Sequence, residues 1–584
     1  MRCGRNATLS IHFRSLLWLV SFLLFKPLGA QKAIPIESNP YNREVPDTSR
    51  AIAFIDPGSI PFIHFSDIQK YYIANWKKSV RTLTHDSADF IGLPYPYSTP
   101  TLAGNQMFRE MYYWDSYFIN KGLIAYHNYT IEETQKAALK SNPAKHSIES
   151  TAEDSTKSVA EVDAIESEYL LQALNNCNNL IYLVNRFGFV PNANRFSMTN
   201  RSQPPLLAAM VNDIFEVTGD TAWLRVALKA LEKEHRWWKE NRSLGLRPQQ
   251  YSGIDGAKKY PTALYLNHYG NQASDAFLLR FAQFLKARLG SGFDSMYSVL
   301  NRDTLISGEG KKQGKGIQLS DHLLAEAESG WDFTTRFNAR CMSIAPLELN
   351  CLLYLSEKTL SNGYKTLKER KKSREWRQQS NLRKALINKL FYDKHTGWYW
   401  DYDLAKSEIH FNHNAAQFMP YFVGLAKHNS RNKKALIQLS NLFIGNCGIY
   451  PCLPLNTQVG GLYDDAKDSS AIEANRVFWK TQWDSPNAWP PLTHFAAQAL
   501  LNYGKGIGEN CSLLIYKRDQ LIWSFKESVE VQFGITQKIW EKYNIDDGTL
   551  QVVNEYPMPD FFGWTAGVYM GFLDEFDSFA IYCF

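Results

Sequence analysis

The chain has 584 residues, 64 basic and 58 acidic side chains, a net charge of +6 and 14% aromatic residues. Its basic and acidic residues are interspersed, and the densest basic run, Lys365 to Arg377, reads as a solvated helix face, so nucleic acid is not an expected partner. The 16 Trp, 31 Tyr and 34 Phe exceed ordinary core needs; flat apolar rings suit the C–H faces of sugars as well as a large core.

At the N-terminus, Arg2, Arg5 and Arg14 accompany an apolar run from Ser15 to Phe25. That run is shorter than the roughly 20 residues of a membrane span. Leu28-Gly29-Ala30 places a small residue before a cut ahead of Gln31. A secretory signal peptide over 1–30 is expected, with an uncleaved anchor as the alternative. A polar lead over 31–66 precedes a catalytic domain over 67–584. No later stretch is long and apolar enough to span a membrane, and acidic residues interrupt any lipid-anchor tail, so no membrane contact is expected once the signal is removed.

Export gives meaning to four N-glycosylation sequons, at Asn128, Asn200, Asn241 and Asn510. It also matters for the eight cysteines, one of which, Cys3, leaves with the signal. Cys447 and Cys452 are close enough in sequence for a local disulfide, and an odd remainder leaves at least one free thiol. No CxxC pair is present, and neither a metal nor a cofactor is expected.

Apolar periodicity predicts helices over Ala160–Arg186, Thr221–Asn241, Gln272–Leu289, Pro346–Leu360, Ser373–Tyr392, Asn412–Lys427, Pro490–Tyr503 and Cys511–Tyr543. A further helix opens after Pro204-Pro205, presents Leu207, Met210, Ile214 and Phe215 on one face, and closes at Gly219-Asp220. Strand-like alternation is sparse, so the fold class is all-α, built from paired helices. Residues 141–157, rich in Ser, Thr and acidic side chains, read as a polar surface insertion.

Five stretches of unusual composition interrupt the helices: Phe108–Phe118 (FREMYYWDSYF), Phe189–Leu207 (FVPNANRFSMTNRSQPPLL), Ala327–Arg336 (AESGWDFTTR), Gln482–Pro491 (QWDSPNAWPP) and Glu541–Val568. Each mixes aromatic rings with carboxylates, amides or guanidinium groups. Rings offer stacking platforms, and the polar groups offer the paired hydrogen bonds that sugar hydroxyls need.

FREMYYWDSYF and QWDSPNAWPP resemble the two signature motifs of trehalases, glycoside hydrolase family 37. The PNANR…NRSQPPLL loop, the ESGWDF loop and the closing EKY…EYP…FGWT are similar to that family as well, in the same order. The resemblance implies an (α/α)6 barrel, a toroid of six helical hairpins with the active site in one mouth. It also implies inverting hydrolysis of the disaccharide α,α-trehalose to two glucose molecules. That chemistry needs one protonated and one ionised carboxyl group on opposite sides of the scissile bond. By the resemblance Asp332 is the acid and Glu541 the base, with Glu555 the rival for the second role and otherwise a substrate contact. Trp331 and Phe333 would raise the Asp332 pKa by desolvation; the competing reading makes Asp332 a helix cap for Thr334-Thr335. Substrate contacts carried over are Phe108, Tyr112, Trp114, Asp115, Asn192, Arg201, Ser202, Gln203 and Gly330.

The sequence departs from the family pattern at four places. Met107 stands where an arginine is usual, and Gly270 to Asp275 where an Arg-Pro-Glu contact is usual. Leu550 to Asn554 replaces a glycine-rich run, and Ala566 replaces an asparagine. The alternatives to a trehalase are therefore a catalytically impaired saccharide-binding protein on the same barrel and a hydrolase of another α-glucoside.

Overall fold

The computed structural model describes residues 65–141, 167–254, 264–289, 315–453 and 481–579. The expected signal peptide, nearly all of the lead and residues 142–157 of the polar insertion lie outside these. Thirteen helices of eleven residues or more organise the described residues. They are α1 (Phe65–Asn75), α2 (Tyr113–Ser141), α3 (Glu168–Phe187), α4 (Leu207–Thr218), α5 (Thr221–Asn241), α6 (Asp275–Leu289) and α7 (Lys315–Ser329). After them come α8 (Leu347–Thr366), α9 (Arg370–Leu390), α10 (Ser430–Phe443), α11 (Pro490–Gly504), α12 (Glu509–Thr536) and α13 (Gly563–Phe579).

Local chemistry sets the helix boundaries. The α4–α5 hairpin turns at Gly219, whose φ of 61° is in the left-handed region. The next residue, Asp220, caps α5 by accepting from the N–H groups of Ala222 (2.8 Å) and Trp223 (3.0 Å). Pro490 and Pro491 occupy the first turn of α11, where a missing N–H costs nothing. Two expectations need correction. The helix expected over 412–427 is a 3-10 turn, Ala415–Phe418, running into the short helix Met419–Phe422. Asn414 caps the turn (Oδ1 to Ala416 N, 3.0 Å), and Gly424, at φ 67°, ends the segment. The helix expected to reach Tyr543 stops at Thr536, where Gln537 turns left-handed at φ 56°.

The helices pair as an (α/α)6 barrel: α4 with α5, α6 with α7, α8 with α9, α11 with α12. The first long helix and the last, α2 and α13, pack along each other and close the ring. Their backbones nearly touch: a Cβ on Gly567 would lie 2.1 Å from the carbonyl oxygen of Phe118, and one on Gly122 would lie 2.6 Å from the Gly567 Cα. Strands are two or three residues long and form small antiparallel ribbons between helices. Cys447 and Cys452 are both free thiols, contrary to the expected disulfide. The Cys452 sulfur faces the Thr334 hydroxyl at 3.5 Å, whereas Cys447 is buried beside Ser528.

Because backbone atoms oppose any side chain at Gly567, Gly567→Ala should destabilise the protein by about 1–3 kcal/mol, read as a lower urea midpoint. Gly104→Ala, where nothing lies within 4 Å of the added Cβ, should leave the midpoint unchanged.

Candidate active site

The motif loops meet at one mouth of the barrel and are laced together by backbone pairing. Tyr112 bridges Ala193, and the Tyr113 N–H donates to the Asn192 carbonyl (3.1 Å). The Trp483 N–H donates to the Phe333 carbonyl (3.2 Å), and the Gln482 amide donates to the Asp332 carbonyl (2.9 Å). Asn487–Ala488 pairs antiparallel with Tyr543–Asn544. Each interrupted stretch of the sequence is thus a neighbour of another in space.

A cavity at this mouth is lined by Phe108, Tyr112, Trp114, Asp115, Asn192, Arg201, Gln203, Gly330, Asp332 and Glu541, ten of the twelve residues nominated from sequence. Two lie elsewhere. Ser202 is fully buried behind the wall, its hydroxyl donating to the Val190 carbonyl (2.7 Å) and its N–H to Glu328 (2.8 Å). Glu555 is partly exposed beside Tyr556 and is not part of the lining. Sequence reasoning did not nominate Met198, Ala327, Gln482, Trp483, Trp489, Tyr556, Phe562 and Trp564, which complete the wall. Most of these sit inside the quoted motifs, so the signal was present in the composition of the loops.

Tryptophans build the floor. Trp483 stacks on Trp489 at 3.9 Å between ring centres and 5° between planes, and Trp331 stacks on the far side of Trp483 at 5.9 Å. Trp564 meets Trp114 edge-on at 6.0 Å. Gly330 is held at φ 77°, and a Cβ there would lie 2.9 Å from the Trp114 ring, so the close approach this glycine permits is to Trp114.

Asp332 projects between two anchored neighbours. Trp331 and Phe333 are both buried, while Asp332 itself is half-buried at the cavity. The cap of the short helix Thr335–Phe337 is Thr334, which accepts from the Arg336 N–H at 3.1 Å, so the helix-cap reading of Asp332 does not hold. Asp484 fixes the next residues, accepting from the Thr335 N–H (3.0 Å) and the Thr335 hydroxyl (2.8 Å). Glu541 is fully buried apart from the cavity. Lys542 lies 2.5 Å from one of its carboxylate oxygens, and the Tyr556 hydroxyl donates to the other at 2.6 Å. The Trp564 indole donates to the Glu541 carbonyl at 2.8 Å.

Arg201 is the one basic side chain among the described lining residues. It donates to Asn200 (2.9 Å) and Asn192 (3.5 Å). Burial lowers its pKa, and the nearby Asp332 charge opposes that. Met107, where the family pattern has an arginine, is outside the lining, as are Gly270 to Asp275. Gly270 instead donates its N–H to Glu328 (2.7 Å), which also holds Arg242 through two bonds of 2.8 and 3.0 Å.

Asp115 is nearly inaccessible, and burial pushes its carboxyl up to about 8, with Glu541 and Asp332 adding like-charge repulsion. Its folded-state pKa lies above the unfolded value, so it contributes stability that is complete below about pH 4 and is lost as pH rises toward 8. Asp115→Asn keeps the shape of the protonated acid and does not titrate. Its thermal midpoint relative to the parent should rise between pH 5 and 8, by of order 1 kcal/mol per pH unit. A pH-independent difference would contradict the assignment.

The family model described as Trehalase matches residues 64–577. Among curated relatives, the chain is 26% identical to the periplasmic trehalase of Shigella flexneri serotype 5b over 492 residues, covering 82% of this chain and 69% of that protein. It is 27% identical to the periplasmic trehalase of Citrobacter koseri over 508 residues, covering 85% and 71%. The solved structure of neutral trehalase Nth1 from Saccharomyces cerevisiae superposes with a TM-score of 0.54 at 20% identity, covering 82% of this chain and 74% of that one, a likeness of fold. With ordered motifs, a matching fold and a family match over most of its length, the chain belongs to the trehalase family.

Proposed function

We propose that this protein is an exported hydrolase that cleaves α,α-trehalose to two glucose molecules with inversion. The observation that carries the reading is the convergence of Asp332 and Glu541 on one tryptophan-floored cavity, with Glu541 gripped by Lys542 and Tyr556. Asp332 donates its proton to the glycosidic oxygen as the C–O bond breaks. Glu541 takes a proton from the water that attacks the anomeric carbon from the opposite face. A carboxylate oxygen accepts more than one hydrogen bond, so the bonds from Lys542 and Tyr556 leave Glu541 able to hold that water. Arg201, Asn192, Gln203 and Asp115 supply hydroxyl contacts, and Trp114 a ring platform. Glu555, outside the wall, is a poorer base than Glu541.

Export rests on the signal-like segment over 1–30 and on relatives named as periplasmic. No described helix is long and apolar enough to cross a membrane. Of the four sequons, Asn241 is the exposed one and the position expected to carry a glycan where the host adds them.

Purified protein should release glucose from trehalose, the first products being equal amounts of the α and β anomers by NMR. Asp332→Asn and Glu541→Gln should each lower kcat by about 10²–10⁴-fold. Asp332→Asn should leave the thermal midpoint nearly unchanged, whereas Glu541→Gln should lower it by taking the charge partner from buried Lys542. Absence of glucose release, or turnover of maltose or sucrose above that of trehalose, would sink the assignment.

A further inference from the structure

Helices α2, α4, α8 and α11 all start at the mouth that holds the site and run away from it. Trp114 and Trp489, at the starts of α2 and α11, belong to the site. Further in, Leu352, Met419, Leu492 and Phe495, with Trp331 and Glu348, line a narrow, mostly apolar gap. Beyond this gap, the same four helices and the loop after Phe422 line a second, open cavity of about 410 Å³, against about 170 Å³ for the site. At 1.5 Å per residue, the distance from Trp489 to Asn502 along α11 is about 20 Å, so the cavities sit at opposite ends of the barrel axis. The volume falls within the roughly 300–1,000 Å³ of small-molecule sites.

This second cavity has a distinct charge pattern. Its described lining holds Lys121, Lys358 and His428 against one carboxylate, Asp213, which Lys121 engages at 3.5 Å. Lys384, Lys427 and Lys433 crowd the same rim closely enough to repel Lys358 or His428 or one another. Several buried cations of the described residues have a carboxylate partner, as in Arg242 with Glu328, Arg336 with Asp401 and Arg383 with Glu357. Half-buried Lys358 has no such partner among the described residues, and its burial lowers its pKa. Polar amides stand beside it. Asn212 donates one N–H to the Thr359 hydroxyl (2.9 Å) and Asn502 one N–H to the Phe422 carbonyl (2.9 Å), so each keeps a second N–H and a carbonyl oxygen for other partners.

We propose that the second mouth of the barrel binds a small phosphate-bearing ligand of the sugar-phosphate class, its phosphate on Lys358 and its hydroxyls on Asn212 and Asn502. A concave, net-positive, amide-lined cavity offers the phosphate the counter-charge that the protein itself withholds from Lys358. The site is separate from the hydrolytic one and does not depend on how that one works.

Thermal unfolding of the full chain at fixed ionic strength provides the test, with inorganic phosphate, glucose 6-phosphate and glucose as probes. Ligand binding to the folded state raises the midpoint in a saturable way. A saturable rise with either phosphate source, weakened at least tenfold in apparent affinity by Lys358→Gln and retained by Lys358→Arg, supports the proposal. A larger rise with glucose 6-phosphate than with phosphate assigns the hydroxyl contacts to a sugar, and equal rises assign the cavity to the free oxyanion. Glucose alone should act equally on parent and Lys358→Gln, through the hydrolytic site. Trehalose turnover by Lys358→Gln should stay within twofold of the parent. No saturable shift with either phosphate, or a shift that Lys358→Gln leaves intact, overturns the proposal.

Discussion

The site hangs on one buried guanidinium. Arg336 is inaccessible to solvent and donates to both oxygens of Asp401, at 2.9 and 2.8 Å, and to Glu348. Its face covers Trp331 at 4.5 Å. Those contacts reach from the loop that carries Asp332 to the first turn of α8 and to the strand Asp401–Asp403. The environment is asymmetric: Arg336 holds the Asp401 carboxyl below its ordinary range, while burial pushes Glu348 up. Two carboxylates around one guanidinium are tolerable in a dry interior only because the geometry is bidentate and Asp401 also accepts from the Leu347 N–H (2.8 Å). Breaking such a cluster from one side leaves uncompensated buried charge, so the loop has little freedom to drift.

Around that anchor, acidic side chains serve two different ends. Glu328, Asp484 and Asp401 spend their acceptors on backbone N–H groups and cations of neighbouring loops, and so act as joints. Asp115, Asp332 and Glu541 face the cavity. Local environment makes the distinction, since the same residue types appear within a few positions of each other, Glu328 and Asp332 being four apart. Packing adds a second restraint: the Trp331–Trp483–Trp489 stack ties the Asp332 loop to the loop ahead of α11, and Lys542 lies over Trp489 at 4.6 Å. Rings and charges together join loops that are far apart in sequence.

Much of this was legible in the sequence, for physical reasons. Helices α4, α5, α9 and α11 were readable because they carry one apolar stripe or begin with proline and end with glycine. Helices α2 and α13 were not anticipated, because each starts in a motif and much of its described surface is buried, which weakens the amphipathic period. The cavity residues were legible where motif identity pointed to them, as for Asp332, Glu541 and Arg201. Ser202 went astray because a serine next to the cavity-lining Arg201 turned its hydroxyl to the Val190 carbonyl. The cationic second mouth left no local signal at all, since Lys121, Lys358 and Lys384 come from three helices that only the fold brings together.

The contact between Gly122 and Gly567 carries a consequence for the order of events during synthesis. The two helices it joins stand near opposite ends of the chain, so the ring cannot shut while α13 is still inside the ribosome. Earlier hairpins such as α4–α5 and α8–α9 have local partners and can assemble as they emerge. The seam between α2 and α13 must then form between residues as far apart as Gly122 and Gly567, a non-local step of the kind that folds slowly. Until it does, the apolar flank of α2 lacks its cover. A nascent chain of this protein therefore stays an open arc of helical pairs until α13 has emerged, and that helix converts the arc into an enclosure.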